Sequence, residues 1–166
     1  MGKIFEQKTI LISSINEEGE PSISCAPFIK VGDKLYIYLS RCADHYNNII
    51  KHPKITIMII EDESAAKTVF SRVKITSTAT ATKMEEVPEN IWEAYREGQH
   101  KNMLKALRKL DFDMFELELD KGKITRGFGI AHNIYLKDGE WVEESENIQR
   151  LGHGMKSRDE KLFLGC

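Results

Sequence analysis

The residues best suited to chemistry cluster around Ser40 and Arg41, which end an alternating apolar segment and precede a short helical one. A hydroxyl and a guanidinium at such a junction suit an anionic ligand. The first backbone N–H groups of a helix have no partner, and the helix dipole favours negative charge there. Arg72 and Lys74 lie further along, in a segment of β-type composition, and alternation along a strand would point both to one face. These spacings predict a site for a ligand that carries phosphates or carboxylates.

The bulk composition is that of an ordinary globular protein. The chain has 166 residues, 41% of them hydrophobic, and a net charge of −2. This is enough for a full core, so we interpret residues 1–166 as a single domain. The charge balance gives no general attraction to nucleic acid or to a membrane. The densest basic segment, 101–109, has its cations at helical spacing among apolar residues, which indicates a solvated helix face.

The cysteines and the hydropathy pattern indicate the compartment. Cys25, Cys42 and Cys166 match neither a zinc site nor a disulfide framework. No signal peptide precedes Lys8, and no apolar run reaches the length of a membrane span. We therefore expect a cytoplasmic protein that makes no contact with a membrane.

Alternating apolar and polar residues predict short strands joined by turns and interrupted by helices. The expected strands are Thr9 to Asn16, Pro21 to Phe28, Leu35 to Leu39, Lys54 to Ile60, Val69 to Lys83, Met114 to Leu119 and Lys123 to Ala131. Helices are predicted over Ala43 to Lys51 and Pro88 to Leu110, the second divided at Gly98. Strand hairpins interrupted by helices are typical of a closed or split antiparallel barrel with helices packed on it.

Four local features carry further expectations. Pro27 is predicted to end the second strand. The segment from Lys54 to Ile60 is nearly all apolar, which indicates a central strand buried on both faces. A turn is predicted at 120–122, and the five acids of 138–146 indicate a solvated loop.

The order of these segments resembles a known family. The runs SCAPF, LYIYLSRCADHYNNI, HPKITIMIIEDE and FSRVKITSTATA are similar to those of the pyridoxamine 5′-phosphate oxidase-like split barrels. The block LDFDMFELELDKGKITRGFGIAH resembles a strand pair of the haem-utilisation branch, called HugZ and HutZ. The resemblance covers roughly residues 7–135. It implies a mainly β protein with helices, an antiparallel split β-barrel of the FMN-binding split-barrel type, working as a homodimer.

The resemblance also implies an activity. Much of the superfamily binds FMN at a dimer interface, whereas the haem-utilisation branch binds haem there and degrades it with oxygen and an electron donor. It therefore implies a haem oxygenase-like enzyme that releases iron, with haem as substrate and cofactor and an unidentified electron donor as partner. Two alternatives stay open: an FMN-binding oxidoreductase of the same fold, and a haem storage or trafficking protein without turnover. Anion-binding residues alone do not separate haem from FMN, because both ligands are flat and acidic.

The branch is taken to hold the haem iron with a histidine of the C-terminal tail, and the matching residue here is His153. Imidazole is the usual axial ligand, and the flanking Gly152 and Gly154 give the segment conformational freedom. We therefore predict that His153 binds the haem iron and is a catalytic residue. The alternative is that it is an exposed histidine without a function. Residues 145–166 are expected to form a tail that closes over the cofactor. Asp111 is a candidate partner for this imidazole across the dimer, or a helix-end charge.

Several basic residues complete the predicted site. Arg72 is the second catalytic candidate, because an arginine near this position is implicated in the pocket over the iron in the haem branch. Arg41, Arg72 and Lys74 would hold propionates or the FMN phosphate. His45 is either a pocket wall or a helix residue packed on the barrel. Arg126 precedes glycines that allow close approach to a flat ligand or mark a bend. The predicted cofactor-binding set is Ser40, Arg41, His45, Arg72, Lys74 and Arg126.

Overall fold

The computed structural model of the protein describes residues 2–99, 110–127 and 130–146. The strands are β1 (Thr9–Ile15), β2 (Pro21–Val31), β3 (Lys34–Ser40), β4 (Lys54–Ile60), β5 (Lys74–Lys83), β6 (Phe112–Thr125), β7 (Ala131–Lys137) and β8 (Glu140–Glu143). The helices are α1 (Asp44–Lys51) and α2 (Glu89–Gly98), and short 3-10 turns occur at Gly2–Glu6, Glu63–Ala65 and Val69–Ser71. Most of the predicted elements are therefore present near their expected positions.

Strand pairing closes six of the strands into a barrel. The sheet runs β3-β2-β1-β4-β5-β6, and a further antiparallel pairing of β3 with β6 joins its two ends. That closing pair extends from Leu35 opposite Leu117 to Ser40 opposite Phe112. β7 and β8 extend the sheet from the second half of β6. The predicted antiparallel split barrel is confirmed.

Alternation along the strands fills the barrel with apolar side chains. Burying one such side chain stabilises the fold by about 1.5–3 kcal/mol, so the apolar positions of each strand fix its inner face. The prediction that the strand at Lys54–Ile60 is buried on both faces is wrong, because Thr56 is exposed and Met58 half-buried on the outer side. The buried inner set includes Ile10, Ile12, Phe28, Leu35, Ile37, Ile55, Ile57, Ile59, Ile75, Phe115 and Leu117.

The helix α2 covers a second, smaller apolar cluster outside the barrel. Its Tyr95 is buried beside Tyr38 of β3, whose ring also meets Trp92 edge-on with centroids 5.4 Å apart. This confirms the first part of the helix predicted over 88–110. Residues 100–109, which include the basic segment, lie outside the described residues.

β5 begins at Lys74, so the prediction of a strand from Val69 is wrong. Residues Val69–Ser71 form a 3-10 turn closed by reciprocal hydrogen bonds with Thr68. Phe70 is exposed, so β-type composition alone does not make a strand here. Arg72 lies in the connection before β5. The prediction that Arg72 and Lys74 alternate along one strand is therefore wrong.

β6 runs without a break from Phe112 to Thr125, so the predicted turn at 120–122 and the separate strand over 123–131 are wrong. A Cβ atom at Gly122 would lie 2.8 Å from the side chain of Ile134 on β7. The glycine therefore allows two strands to approach closely instead of marking a turn.

The chain turns later, where the Arg126 N–H donates to the Ile130 carbonyl at 2.8 Å. The acidic segment 138–146 is not only a loop, because it contains β8. Trp141 of β8 is buried and donates from its indole nitrogen to the Asp33 carbonyl at 3.0 Å. Burial of this one tryptophan therefore places part of the segment in the sheet despite its acidic composition.

β2 continues through Pro27 to Val31, so the predicted strand end at Pro27 is also wrong. Pro27 lies opposite Thr9, the first residue of β1, where the ladder ends. The next residue, Phe28, donates its N–H to the Lys8 carbonyl at 3.2 Å. Hydrogen bonding between the two chain segments therefore continues past Pro27, although proline has no N–H to donate.

Candidate anion-binding half-sites

Arg41 lies where β3 passes into α1, and it is clamped by a carboxylate. Its Nε and Nη2 donate to the two carboxylate oxygens of Asp113 on β6, at 2.8 and 2.9 Å. The same carboxylate accepts from the Tyr46 hydroxyl at 2.5 Å and faces the Lys83 ammonium at 3.5 Å. The Asp113 side chain is only 12% exposed. Hydrogen bonds from Arg41 and Tyr46, and the charge of Lys83, hold the pKa of Asp113 well below its usual range. We call these four residues the Asp113 cluster.

Asp113 occupies one edge of the Arg41 guanidinium. A guanidinium has five N–H donors, and among the residues that the structure describes, the two bonds to Asp113 leave the outer Nη1 end of the group open. The Arg41 side chain is 53% exposed, so a ligand can reach that end. The Arg41 backbone is fixed as well, because its N–H donates to the Asp111 carbonyl at 2.8 Å. Arg41 is therefore an oriented cation with further N–H donors available to a ligand.

Ser40 and His45 lie beside Arg41, as the sequence predicts. The Ser40 hydroxyl accepts from the Cys42 N–H at 3.3 Å and stabilises the junction. α1 begins after Ala43, which supplies no side-chain cap. His45 is half-buried on the first turn of α1, and burial lowers its pKa, so its imidazole is neutral at pH 7. Ser40, Arg41, His45 and the Asp113 cluster together form what we call the Arg41 half-site.

Arg72 and Lys74 lie at the start of β5. The Arg72 Nε donates to the Glu61 carbonyl at 2.7 Å, and its Nη1 pairs with Glu63 at 2.9 Å. Lys74 precedes the buried Ile75, so alternation places Lys74 on the outer face of the sheet. Within the part of the chain that the structure describes, its ammonium forms no ion pair. Arg72 and Lys74 form what we call the Lys74 half-site.

β5 separates the two half-sites. Lys74 is the first residue of this strand and Lys83 the last, and Lys83 belongs to the Asp113 cluster. A strand rises about 3.3 Å per residue, so the half-sites lie about 30 Å apart along β5. One copy of the chain therefore does not bring Arg41 and Lys74 together around a single ligand.

Arg126 belongs to neither half-site. Ile124, two positions earlier, is buried in the core, whereas the neighbouring Thr125 pairs with Lys74 on the outer side. Arg126 instead pairs with Glu143, whose pKa it lowers. It faces a cavity of about 570 Å³ at the end of the barrel, lined by Gly2, Lys3, Ile4, Glu6, Gln7, Glu61, Ala65, Val73 and Arg126.

The outer face of the sheet has an uncharged row of side chains at its centre, and Lys54, Lys74 and Lys123 lie around it. Strand register aligns Ile23, Ser13, Thr56 and Thr78 in one row across four strands. Ile23 is 76% exposed, which is unusual for a large aliphatic side chain in the middle of a sheet. Such a face is typical of a protein contact surface. We call it the outer sheet face, composed of Leu11, Ser13, Ile15, Ile23, Cys25, Thr56, Met58, Thr76 and Thr78.

The sequence alone does not identify Asp113 as a site residue. It lies in a strand with alternating acids, which is the ordinary pattern of a half-exposed strand. Its hydrogen-bond donors Arg41 and Tyr46 lie 72 and 67 residues away in the chain. No local pattern predicts such a contact, and only the barrel closure between β3 and β6 creates it.

The predicted iron ligand, His153, lies outside the described residues, as does the segment 147–166. His132 on β7 is engaged in the fold, since its Nδ1 forms a hydrogen bond with the Glu144 carbonyl at 2.8 Å. In the ranges 2–99, 110–127 and 130–146, no group of three or more His, Cys, Asp or Glu is placed to hold a metal ion. Among the helices of these same ranges, none is long and apolar enough to cross a membrane.

Comparison with known proteins places this geometry in a family. The family model described as pyridoxamine 5′-phosphate oxidase matches residues 3–126. Heme oxygenase HutZ of Vibrio cholerae serotype O1 is 30% identical over 154 residues, which cover 90% of this chain and 87% of that protein.

Solved structures agree with the sequence match. Campylobacter jejuni ChuZ superposes with a TM-score of 0.72 at 30% identity over 85% of this chain, which spans only 58% of the ChuZ chain. HutZ, the heme storage protein from Vibrio cholerae, superposes with a TM-score of 0.64 at 30% identity, over 75% of this chain and 90% of that one. The barrel, the order of its strands and these matches have one explanation: the chain belongs to the HutZ type of the pyridoxamine 5′-phosphate oxidase-like split-barrel superfamily.

Proposed function

We propose that this protein binds haem between two copies of the chain and degrades it with oxygen and an external electron donor. The observation that carries the proposal is the placement of two cationic half-sites at opposite ends of β5, beside a sheet face whose central row of side chains is uncharged. Haem combines a flat apolar ring with two carboxylates, so its site needs both apolar surface and cations. The descriptions of HutZ as a heme oxygenase and as a heme storage protein support haem as the ligand.

A second copy brings the separated half-sites together. A two-fold axis through the outer sheet face near Thr78 reverses the direction of β5 in the partner. The Lys74 end of one copy then meets the Lys83 end of the other. An isologous interface uses the same patch on both subunits and creates two equivalent composite sites. We therefore propose a homodimer in which each haem contacts one Arg41 half-site and the Lys74 half-site of the other copy.

The chain's own residues bind and orient the ligand in this arrangement. The open edge of Arg41 donates to one propionate, and Lys74 of the other copy pairs with the second. Ser40 and His45 form the adjoining wall, and Arg72 is the proposed catalytic hydrogen-bond donor of the pocket. Haem, when bound, supplies the redox-active iron and the ring that is opened. Arg126 faces the barrel-end cavity and has no part in this site.

The C-terminal tail completes the proposal. Residues 1–166 form one domain, of which 145–166 would close over the haem and supply His153 as axial ligand and catalytic residue. β8 ends at Glu143, so the tail starts from the edge of the sheet next to the barrel end. With haem bound, a single imidazole ligand would leave the iron able to react with oxygen. A cellular electron donor and a cytoplasmic location belong to the same proposal.

The experiment that tests the proposal is an absorbance titration with hemin, followed by ascorbate in air. We expect saturation at about one haem per subunit, as two composite sites per dimer require. Ascorbate should then remove the Soret band and produce a long-wavelength, biliverdin-like absorption. A Soret band that survives ascorbate and air would reject degradation, and a failure to saturate would reject haem binding.

Two other functions have a specific observation in their favour. The description of HutZ as a heme storage protein favours binding without turnover, and a persistent Soret band in the same titration would identify it. The match of residues 3–126 to the pyridoxamine 5′-phosphate oxidase model favours FMN. A protein that purifies yellow, releases flavin on denaturation and does not bind hemin would identify the flavin function.

A further inference from the structure

Asp113 is the least exposed charged member of the Arg41 half-site, and it holds the residue that our proposed function assigns to the ligand. We propose that Asp113 is a positioning residue: it aims the outer edge of the Arg41 guanidinium at a carboxylate of the bound ligand. The inference rests on the proposed function, because it needs an anionic ligand at this half-site. It adds a specific determinant, which is recognition of the carboxylate separately from the apolar ring.

The geometry fixes both the place and the direction of the guanidinium. The two bonds at 2.8 and 2.9 Å run from Nε and Nη2, so they define the plane of the group. The remaining edge is made by Nη1 and the second Nη2 hydrogen. It has the shape to donate two parallel hydrogen bonds to a carboxylate. A free arginine side chain loses rotamer entropy when a ligand fixes it. Asp113 removes much of this freedom before the ligand arrives, so binding no longer bears that cost.

Asp113 is itself held in place by its surroundings. Tyr46 is buried on α1 and donates its hydroxyl to the carboxylate at 2.5 Å. Lys83, at 3.5 Å, balances the charge of Asp113, so the positive charge of Arg41 stays available to a ligand. Asp111 also acts on Arg41, but its side chain is exposed, and solvent and salt screen its charge. The cluster therefore presents an oriented cation instead of a neutralised pair.

The test compares the affinity for hemin with that for hemin dimethyl ester, whose carboxylates are blocked. We expect the wild-type protein to prefer hemin by roughly 100-fold or more, because the ester blocks both propionates, the one at Arg41 and the one at Lys74 of the other copy. Arg41→Ala and Asp113→Asn should each lower this preference by roughly tenfold, to the part that Lys74 contributes, and the double variant should lose no more than Arg41→Ala alone. Glu118→Gln is the matched control: Glu118 lies on the same strand and pairs with Lys34 at 2.8 Å, far from the half-site.

Each other outcome has a defined meaning. If Asp113→Asn keeps the full preference for hemin while Arg41→Ala lowers that preference, Arg41 acts alone and the inference is overturned. If the wild type binds both compounds equally, the inference fails although haem binding stands. If the wild type binds no hemin, the proposed function fails, and the ratio of FMN to riboflavin affinity then decides the role of Asp113 in the same variants.

A second variant guards against misfolding of Asp113→Asn. Tyr46→Phe removes one donor to Asp113 while leaving the ion pair with Arg41, so it should loosen the cluster and lower the hemin preference by a smaller factor. The Nε–H resonance of Arg41 in the ligand-free protein gives a readout that does not depend on haem. It should be protected from solvent exchange in the wild type and in Glu118→Gln. Loss of protection in Tyr46→Phe supports the inference, and an unprotected wild-type resonance overturns it.

Discussion

A composite site made by two chains can be tested by combining two defective subunits. Arg41→Ala damages the half-site at the end of β3, and Lys74→Ala damages the half-site at the start of β5. We would express the two variants together with different affinity tags and purify the heterodimer on both tags in turn. In that heterodimer one composite site carries both substitutions, and the other carries neither.

The expected numbers follow from the geometry. Each substitution removes one charge-assisted contact worth about 1.5–3 kcal/mol, which lowers the affinity for hemin by about 10- to 100-fold. Both homodimeric variants should then bind hemin weakly at both sites. The heterodimer should bind about one hemin per dimer with wild-type affinity, against about two for the wild type.

Titration calorimetry or absorbance at matched protein concentration measures this stoichiometry. The control heterodimer pairs a wild-type subunit with the Arg41→Ala, Lys74→Ala double variant. Both of its sites then carry one substitution, so it should have no tight site. If the tight site appears in the control and not in the crossed heterodimer, Arg41 and Lys74 serve the same site within one chain, and the two-chain arrangement is refuted.

Three further predictions follow from the same structure. Ile23→Glu should raise the dimer dissociation constant roughly tenfold or more by placing a charge in the interface, whereas Ile50→Glu, at an exposed isoleucine of α1, should not; sedimentation velocity measures both. Asp113 has a lowered pKa in the folded state, so its contribution to stability is complete above about pH 5 and is lost as the pH falls through the unfolded pKa toward the folded one; in urea unfolding, the advantage of wild type over Asp113→Asn should shrink from about pH 5 to 3, and a constant advantage would contradict this prediction. His153→Ala should abolish the five-coordinate histidine spectrum of bound haem, and an unchanged spectrum would reject His153 as the ligand.

The sequence predicts the barrel because alternation is a strong and local signal. In β1, burial of one face requires apolar residues at every second position, and the same pattern sets the register of the neighbours. The junction at Ser40 and Arg41 is equally readable, since a strand end followed by a helix start is visible in the sequence. These features depend only on residues that are close together in the chain.

The errors come from contacts between distant residues. Asp120, Lys121 and Gly122 look like a turn, but the close approach of Ile134 explains the glycine and lets β6 continue. Val69 and Phe70 have strand-forming side chains, yet the segment caps itself through Thr68 and Ser71. In both cases the local composition is compatible with two structures, and contacts that the composition does not reveal decide between them.

The separation of the half-sites explains why the sequence alone could suggest one ligand site without locating it. Arg41, Arg72 and Lys74 have the chemistry of a single anion site, but β5 keeps the first of them about 30 Å from the other two. A monomer would therefore hold two weak, solvent-screened cation sites instead of one strong one. The proposed dimer would change this without moving any residue within a subunit, because it would place the two cationic ends against each other. The affinity for an anionic ligand should thus depend on assembly itself, and substitutions of Ile23 that leave every cation intact should still weaken hemin binding.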